Sequence, residues 1–177
     1  MINLQRITTA DKALYHYVEK LMTSSFPSEE YRTLEEQRTY TDTKTYFHTN
    51  IIAQDNTPVG FITYWDFKHF FYVEHFAIDS TQRNGGYGKS VLNHLCQYLK
   101  HPIILEVEQP VEEMAQRRIN FYQRHGFSLW KKPYQQPPYK PGDHFIPMML
   151  MAYGNLQCEK DFENVKEHIY KEVYNVR

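Results

Sequence analysis

The chain has 177 residues, of which 41% are apolar and 23% are charged, a composition typical of one globular domain and unlike that of a disordered chain. Its 20 basic and 21 acidic residues leave a net charge of −1, which argues against nucleic acid as a partner. Two cysteines cannot build a disulfide framework, and the sequence has neither a secretory signal nor an apolar run long enough to cross a bilayer, so we expect a cytoplasmic protein without a membrane segment.

The first part of the chain predicts a strand and two helices. Residues 2–8 alternate weakly between apolar and polar side chains, and residues 10–23 carry an apolar stripe with helical spacing. Pro27 ends this helix, and Ser28 has the side chain of an N-cap for a second helix.

The middle of the chain changes to a β pattern. Runs rich in β-formers at 46–53, 60–67 and 70–78 predict an antiparallel meander. A Gly-rich loop at 83–88 then leads into an apolar stripe over 91–99, which predicts a helix.

The last part of the chain mixes strands and helices. A short apolar run at 102–107 predicts a buried strand, and 111–124 predicts a helix that ends at Gly126 in a left-handed cap. The Pro-rich stretch 131–144 is predicted to be an irregular loop. The remaining predicted elements are strands at 127–130 and 145–153 and a C-terminal helix within 157–175.

The segment 76–90 carries the most informative motif. A strand ends near Ile78, and a loop with three glycines opens the next helix, whose first-turn amides suit an anion. The nucleoside-triphosphate loop requires glycine in place of Arg83, and the dinucleotide motif requires glycine in place of Val91, so both patterns fail. The pattern that fits is R-x-x-G-x-G over 83–88; the plain alternative is a Gly-rich turn before an ordinary helix.

Two motifs together resemble the GNAT superfamily of acyl-CoA-dependent N-acyltransferases. The R-x-x-G-x-G pattern, preceded by FAID at 76–79, is similar to the superfamily's pyrophosphate signature after its fourth strand. RRINFYQRHGF at 117–127 resembles its F-Y-x-x-x-G-F element. The resemblance covers about residues 2–153.

The resemblance implies a mixed α/β fold. Its central sheet would be mostly antiparallel, flanked by helices and splayed between strands four and five. Residues 1–153 would form the acetyltransferase domain, and the extra C-terminal helix, 154–177, would pack on the same domain.

The resemblance also implies acetyl-CoA as cosubstrate, held in the gap between the splayed strands, with no metal. The backbone of strand four would pair with the pantetheine arm, and the loop amides would hold the pyrophosphate. Ala115 stands where many members carry an asparagine that contacts the cofactor, and Asn120 lies nearby on a different helical face. The expected cofactor-binding residues are Phe76, Ala77, Ile78, Arg83, Asn84, Gly85, Gly86, Tyr87, Gly88, Lys89 and Asn120.

The resemblance assigns the general acid for the departing thiolate to Tyr122, whose alternative is a helical core tyrosine. A free alkylamine with a pKa near ~10.4 is protonated at pH 7, so its attack also requires a base. Glu74, Glu106 and Glu108 are the candidates, with Glu74 and Glu106 preferred. Alternation along the strand predicts that Glu74 shares a face with Ile78.

The acceptor side is predicted from two aromatic and polar segments, 26–32 and 134–139. An aromatic pocket with acidic groups suits a cationic amine, so the hypothesis is a small primary amine bound by Glu30, Tyr31, Glu108 and Tyr134. Acetylation of a protein or peptide amine, and a non-catalytic acyl-CoA-binding or regulatory domain, remain alternatives. The resemblance leaves a homodimer open.

Overall fold

A computed structural model describes the whole chain of 177 residues apart from the side chain of Asn84. The strands are β1 (Ile2–Arg6), β2 (Phe47–Gln54), β3 (Thr57–Asp66), β4 (Phe71–Ile78), β5 (Ile103–Glu108), β6 (Ser128–Gln136) and β7 (Ile146–Tyr153). The α-helices are α1 (Lys12–Ser25), α2 (Leu34–Thr43), α3 (Tyr87–Tyr98), α4 (Glu113–Arg124) and α5 (Cys158–His168). Short 3-10 turns lie at Ser28–Glu30 and Ser80–Gly85, and a π turn at Ile169–Val173 follows α5.

The described strands form one seven-stranded sheet in the order β1-β2-β3-β4-β5-β7-β6. Adjacent strands pair antiparallel except for β4 and β5, which are parallel. Helix α3 connects this parallel pair, as a crossover must. The predicted mixed α/β fold with a mostly antiparallel sheet is therefore confirmed.

Two local predictions were wrong. The second helix begins at Leu34 instead of Ser28, because Thr33 caps it by accepting a hydrogen bond from the Glu36 amide at 3.2 Å. The Pro-rich stretch is regular as far as Gln136, where β6 ends. Strand β6 lies at the sheet edge, and its pairing with β7 shifts register between Trp130 and Tyr134, so Pro133 interrupts no continuous ladder.

The C-terminal segment packs against one face of the sheet. Phe162, Val165, Ile169 and Val173 are buried in a cluster that includes Trp130 of β6. These side chains follow the apolar stripe expected of a helix that packs on the domain. Because the segment ends in this cluster, its last residues are held beside β4, β5 and β6.

Candidate active site

The candidate site is a cleft that opens where β4 and β5 part. The two strands pair only at Phe71–Val73 with Ile103–Leu105. Beyond this point β4 has no partner on its β5 side, which leaves backbone donors and acceptors available. The cleft has a volume of about 180 Å³. It brings together seven predicted site residues: Glu74, Phe76, Ala77, Ile78, Arg83, Glu106 and Tyr122.

A β-bulge at Glu74 changes which face its side chain occupies. Thr63 of β3 pairs with His75, and the next residue, Tyr64, pairs with Val73, so Glu74 is the extra residue. The bulge reverses the alternation that the sequence predicts. The Glu74 side chain therefore lies on the opposite face from Ile78, and the shared face expected for them was wrong.

The loop after β4 borders the cleft through Arg83 and leads into the first turn of α3. Gly86 precedes α3 with φ 68° and ψ 15°, a left-handed conformation that favours glycine, and a Cβ there would point into open space. The first-turn amides of α3 have no intrahelical acceptors and carry the positive end of the helix dipole. This geometry fits the diphosphate of acetyl-CoA. Asn84, also predicted to contribute, lies outside the described side chains.

Other predicted cofactor residues lie around this loop. Gly85, Gly86 and Lys89 are exposed, and Tyr87 and Gly88 are partly buried. Lys89 lines a separate hollow of about 640 Å³ with Asn93, Phe121, Arg124 and His125. Asn120 is exposed on α4 and does not line the cleft, so its proposed contact depends on a cofactor that reaches beyond the cleft.

Tyr122 projects from α4 toward the cleft. Its ring packs against Phe127 at 5.4 Å between centroids, and the residue is buried. Burial raises the pKa of Tyr122 to about 12, against a small lowering by Arg118. The phenol is therefore protonated at neutral pH and can donate a proton.

The Glu74 carboxylate forms an ion pair with Arg32 inside the protein. The side chains of both residues are at most 1% exposed. Trp65 Nε1 donates to Glu74 Oε2 at 2.9 Å, and the Tyr139 hydroxyl donates to Oε1 at 2.8 Å. Burial alone would raise the pKa of Glu74, but the Arg32 guanidinium, the field of His75 and the hydrogen bond from Trp65 hold that pKa below its usual value. Glu74 is therefore ionised and shielded, which is a poor state for a proton acceptor.

The Glu106 carboxyl is surrounded by tyrosine hydroxyls instead of a cation. The Tyr134 hydroxyl donates to Oε1, and the Tyr174 hydroxyl lies 3.0 Å from Oε1 and 2.9 Å from Oε2. Burial raises the pKa of Glu106 to about 7, and the tyrosine hydrogen bonds limit the rise. A carboxyl with this pKa can both accept and release a proton near neutrality.

Hydrogen bonds join the segment between α1 and α2 to β4 and to the end of β6 and the loop after it. The His75 Nε2 donates to the Glu30 carbonyl at 2.8 Å, and the Gln136 amide donates to the Glu29 carbonyl at 3.3 Å. Lys140 donates to the Ser28 carbonyl and lies 4.6 Å from the centre of the Tyr31 ring. The loop after β6 therefore covers the segment between α1 and α2.

None of the four predicted acceptor residues, Glu30, Tyr31, Glu108 and Tyr134, lines the cleft itself. Tyr134 contacts Glu106, and Tyr31 contacts Lys140. Glu108, on β5, lies 3.9 Å from Arg118. Burial raises the pKa of Glu30, and the nearby Glu108 carboxylate adds to the rise. These acidic groups are thus near one another, although neither Glu30 nor Glu108 lines the cleft itself.

Sequence reasoning missed the partners of the two buried carboxyls. Arg32 lies 42 residues from Glu74, and Tyr174 lies 68 residues from Glu106. Nothing in the sequence around Arg32 indicated that this side chain is buried. Tyr174 was predicted only as one residue of the C-terminal helix. Among the residues that the structure describes, no group of His, Cys, Asp or Glu could hold a metal ion. No helix in the described chain is long and apolar enough to cross a membrane.

Comparison with known proteins supplies the family. A profile of the acetyltransferase (GNAT) family matches residues 12–127. A solved structure from Bacteroides thetaiotaomicron, assigned to the GNAT family as an acetyltransferase, is 60% identical, covers 99% of each chain and has a TM-score of 0.97. The protein therefore belongs to the GNAT family of acetyltransferases, and the predicted resemblance is confirmed.

More distant structures share the fold. The ribosomal-protein-S18-alanine N-acetyltransferase from Escherichia coli is 20% identical, with 89% of this chain and 99% of its own covered and a TM-score of 0.60. A chimeric spermidine N-acetyltransferase from Vibrio cholerae and hSSAT is 14% identical, with 86% and 96% covered and a TM-score of 0.63. No curated protein sequence matches the chain. At these identities the likeness concerns the fold and not the acceptor.

Proposed function

We propose that the protein transfers an acetyl group from acetyl-CoA to a primary amine of a small molecule, by direct attack in a ternary complex. GNAT enzymes use acetyl-CoA and act on amines, and the thioester supplies an activated acetyl group. The observation that carries the proposal is the placement of Glu106, with a pKa of about 7, in the same cleft as the protonated Tyr122.

Binding of acetyl-CoA is proposed along β4 and at the start of α3. The unpaired edge of β4 around Phe76 and Ile78 offers backbone groups to the amides of the pantetheine arm, as a missing strand would. The amides around Gly86 and Gly88 are directed to the pyrophosphate, with Arg83 at the same cleft.

Proton transfer is proposed at two residues. Glu106 accepts the proton that the acceptor amine must lose, as the new C–N bond forms. Tyr122 donates a proton to the leaving sulfur as the C–S bond breaks. A backbone N–H near Ile78 stabilises the negative charge on the acetyl oxygen. Of the three carboxylate candidates, Glu106 is favoured because Glu74 is neutralised by Arg32 and Glu108 lies outside the cleft.

The joined loops support a small acceptor instead of a protein segment. The contacts of Gln136 and Lys140 with the backbone at Ser28 and Glu29 hold the loop after β6 on the segment that follows Ser25 and Phe26, two residues that line the cleft. An extended peptide would have to break these contacts to pass over Glu106. A compact amine is expected to enter without doing so, and the nearby carboxylates of Glu30 and Glu108 favour a cation.

The proposal is tested by thiol release from acetyl-CoA with a panel of small amines, polyamines and peptides with free N-termini. We expect release with small primary amines. Release with peptides alone would reject the small-molecule acceptor. Binding of coenzyme A in a calorimeter without turnover on any acceptor would favour the non-catalytic alternative, and the absence of binding by folded protein would overturn the proposal.

A matched pair of variants tests the cofactor site. Gly86→Val forces a β-branched residue into a left-handed conformation at the loop, so we expect coenzyme A affinity to fall by tenfold or more. Gly142→Val introduces the same change at φ 91° in the loop after β6. Equal affinities of the two variants for coenzyme A would contradict the assignment of the loop.

A further inference from the structure

We propose that Tyr174, supplied by the C-terminal segment, is a positioning residue that holds the Glu106 carboxyl in the orientation needed for proton transfer. The inference rests on the proposed function, in which Glu106 is the base. It assigns a catalytic purpose to a segment outside the residues 12–127 matched by the family profile.

The contact geometry favours a positioning role. The Tyr174 hydroxyl lies within 3.0 Å of both Glu106 oxygens and 3.5 Å from the Tyr72 hydroxyl. A phenol can both donate and accept. It can donate to the ionised carboxylate, or accept from the protonated carboxyl while it donates to Tyr72. Tyr174 therefore serves both protonation states of Glu106 without moving its ring.

The backbone after α5 directs this side chain to the Glu106 carboxyl. The π turn at Ile169–Val173 widens the last turn of the segment, a feature frequent at functional sites. Ile169 and Val173 are at most 1% exposed and anchor the turn in the core. The Tyr174 ring then packs 4.7 Å from the Tyr139 ring, centroid to centroid.

Two polar contacts on either side of Tyr174 fix its position. The Tyr46 hydroxyl donates to Glu172 at 3.1 Å, and the Asn175 amide donates to the Tyr40 hydroxyl at 2.9 Å. Asn175 has φ 57°, a left-handed conformation that asparagine tolerates. Apolar packing of a helix does not require these two polar contacts. A hydroxyl that must stay within hydrogen-bond distance of Glu106 does require its backbone to be held in this way.

Other titratable groups also affect Glu106. Hydrogen bonds from Tyr134, Tyr174 and Tyr72 lower the pKa of Glu106 against the rise caused by burial, and the negative charge of Glu74 raises it. The groups that face or influence this carboxyl are Tyr72 and Glu74 on β4, Tyr134 on β6, Tyr139 in the following loop, and Tyr170 and Tyr174 in the C-terminal segment. Tyr174 differs from the rest in contacting both carboxyl oxygens.

The test is a carboxyl-carbon NMR titration of the whole protein, with the Glu106 signal assigned by its loss in Glu106→Gln. Tyr174→Phe keeps the ring and removes a donor to the ionised form, so we expect the titration midpoint of Glu106 to rise by about one pH unit. The midpoint pH of the ascending limb in the profile of kcat/KM against pH is expected to rise by the same amount. Tyr170→Phe is the matched control, because that hydroxyl donates to the Gln135 carbonyl at 2.6 Å and not to Glu106.

The NMR midpoint decides the inference even if no acetyl transfer is found, so failure of the proposed function is distinguishable. A wild-type midpoint and pH profile in Tyr174→Phe would overturn it, as would an equal shift in Tyr170→Phe. Should Tyr174→Phe fail to fold, Asn175→Gly keeps the left-handed backbone and removes the bond to Tyr40. We expect a smaller rise of the midpoint in that variant, and an unchanged midpoint would again overturn the inference.

Discussion

Glu74 and Glu106 come from the two strands that part at the cleft, yet they are held in opposite ways. Glu74 has a guanidinium and an indole as partners, whereas Glu106 has only neutral phenols. Both are removed from water, which favours the protonated form of each. The cation reverses this preference at Glu74, and the phenols only moderate it at Glu106.

The comparison shows how two identical side chains acquire opposite shifts of their pKa values. An ionised carboxylate that is fully paired fixes structure, and one that titrates near pH 7 can move protons. The Tyr139 hydroxyl bonds to Glu74 while its ring packs against Tyr174, which bonds to Glu106. The packed rings of Tyr139 and Tyr174 therefore connect the two carboxyl groups, although the pKa of Glu74 is lowered and that of Glu106 is raised.

The largest expected effect is on the Glu74 side. Arg32→Met leaves Glu74 buried without its cation, and we expect the free energy of unfolding to fall by about 3–5 kcal/mol in urea denaturation. Replacing both partners, as Arg32→Met with Glu74→Leu, should recover much of this loss because no buried charge remains. If Arg32→Met alone were as stable as the wild type, the ion pair with Arg32 would not be what stabilises the buried Glu74 carboxylate.

The next effect is on activity at the Glu106 side. Glu106→Gln keeps the shape and removes the base, so we expect kcat/KM for the amine to fall about 10²- to 10³-fold at pH 7. Coenzyme A affinity, measured by calorimetry, should change little. Glu35→Gln makes the same substitution at an exposed position on α2 and serves as the control. Full activity in Glu106→Gln would remove carboxylate base catalysis at this residue.

The third effect is the pH dependence of stability. The folded protein holds the Glu106 proton more tightly than the unfolded chain does, because the pKa is about 7 instead of 4.5. Stability therefore falls as pH rises from about 4.5 to above 7, by on the order of 3 kcal/mol. Glu74 has the opposite effect on the pH dependence of stability. Because its pKa is lowered in the folded protein, its contribution to stability is lost only as the pH falls through that lowered pKa.

Urea denaturation at several pH values between 5 and 8 checks this sign. Glu106→Gln should remove the part of the pH-dependent fall in stability that Glu106 causes. The free energy of unfolding of the variant minus that of the wild type should therefore increase with pH. A difference that stays constant from pH 5 to pH 8 would mean that Glu106 titrates alike in the folded and unfolded protein.

Local patterns in the sequence predicted most of the fold, including the elements that border the cleft. Apolar periodicity located the strands that part at the cleft, and the glycines at 83–88 marked the turn into α3. These features depend on neighbouring residues, so they can be read along the chain. The extra residue at Glu74 could not be predicted, because a bulge is defined by pairing with another strand, here at Thr63.

The partners of the carboxyls were beyond sequence reasoning for the same reason. Arg32 meets Glu74 only after the segment between α1 and α2 packs against β4, and Tyr174 meets Glu106 only after the C-terminal segment packs on the sheet. The types of residue were visible, but the pairings depend on tertiary packing. The protonation state of each carboxyl follows from its partner, so the sequence left three candidate bases unresolved.

The smallest expected effect concerns Tyr122, the proposed general acid, which lines the same cleft. A thiol with a pKa near ~8.5 is already a fair leaving group, so Tyr122→Phe should lower kcat only about tenfold. Because burial raises the pKa of Tyr122 to about 12, its ionisation should not reduce activity below pH 10. Steady-state kinetics of wild type and variant from pH 6 to 10 test both points. Titration of Glu106 should shape the acidic limb in both proteins, and a basic limb near pH 8 that disappears in Tyr122→Phe would show that this phenol is more acidic than its burial implies.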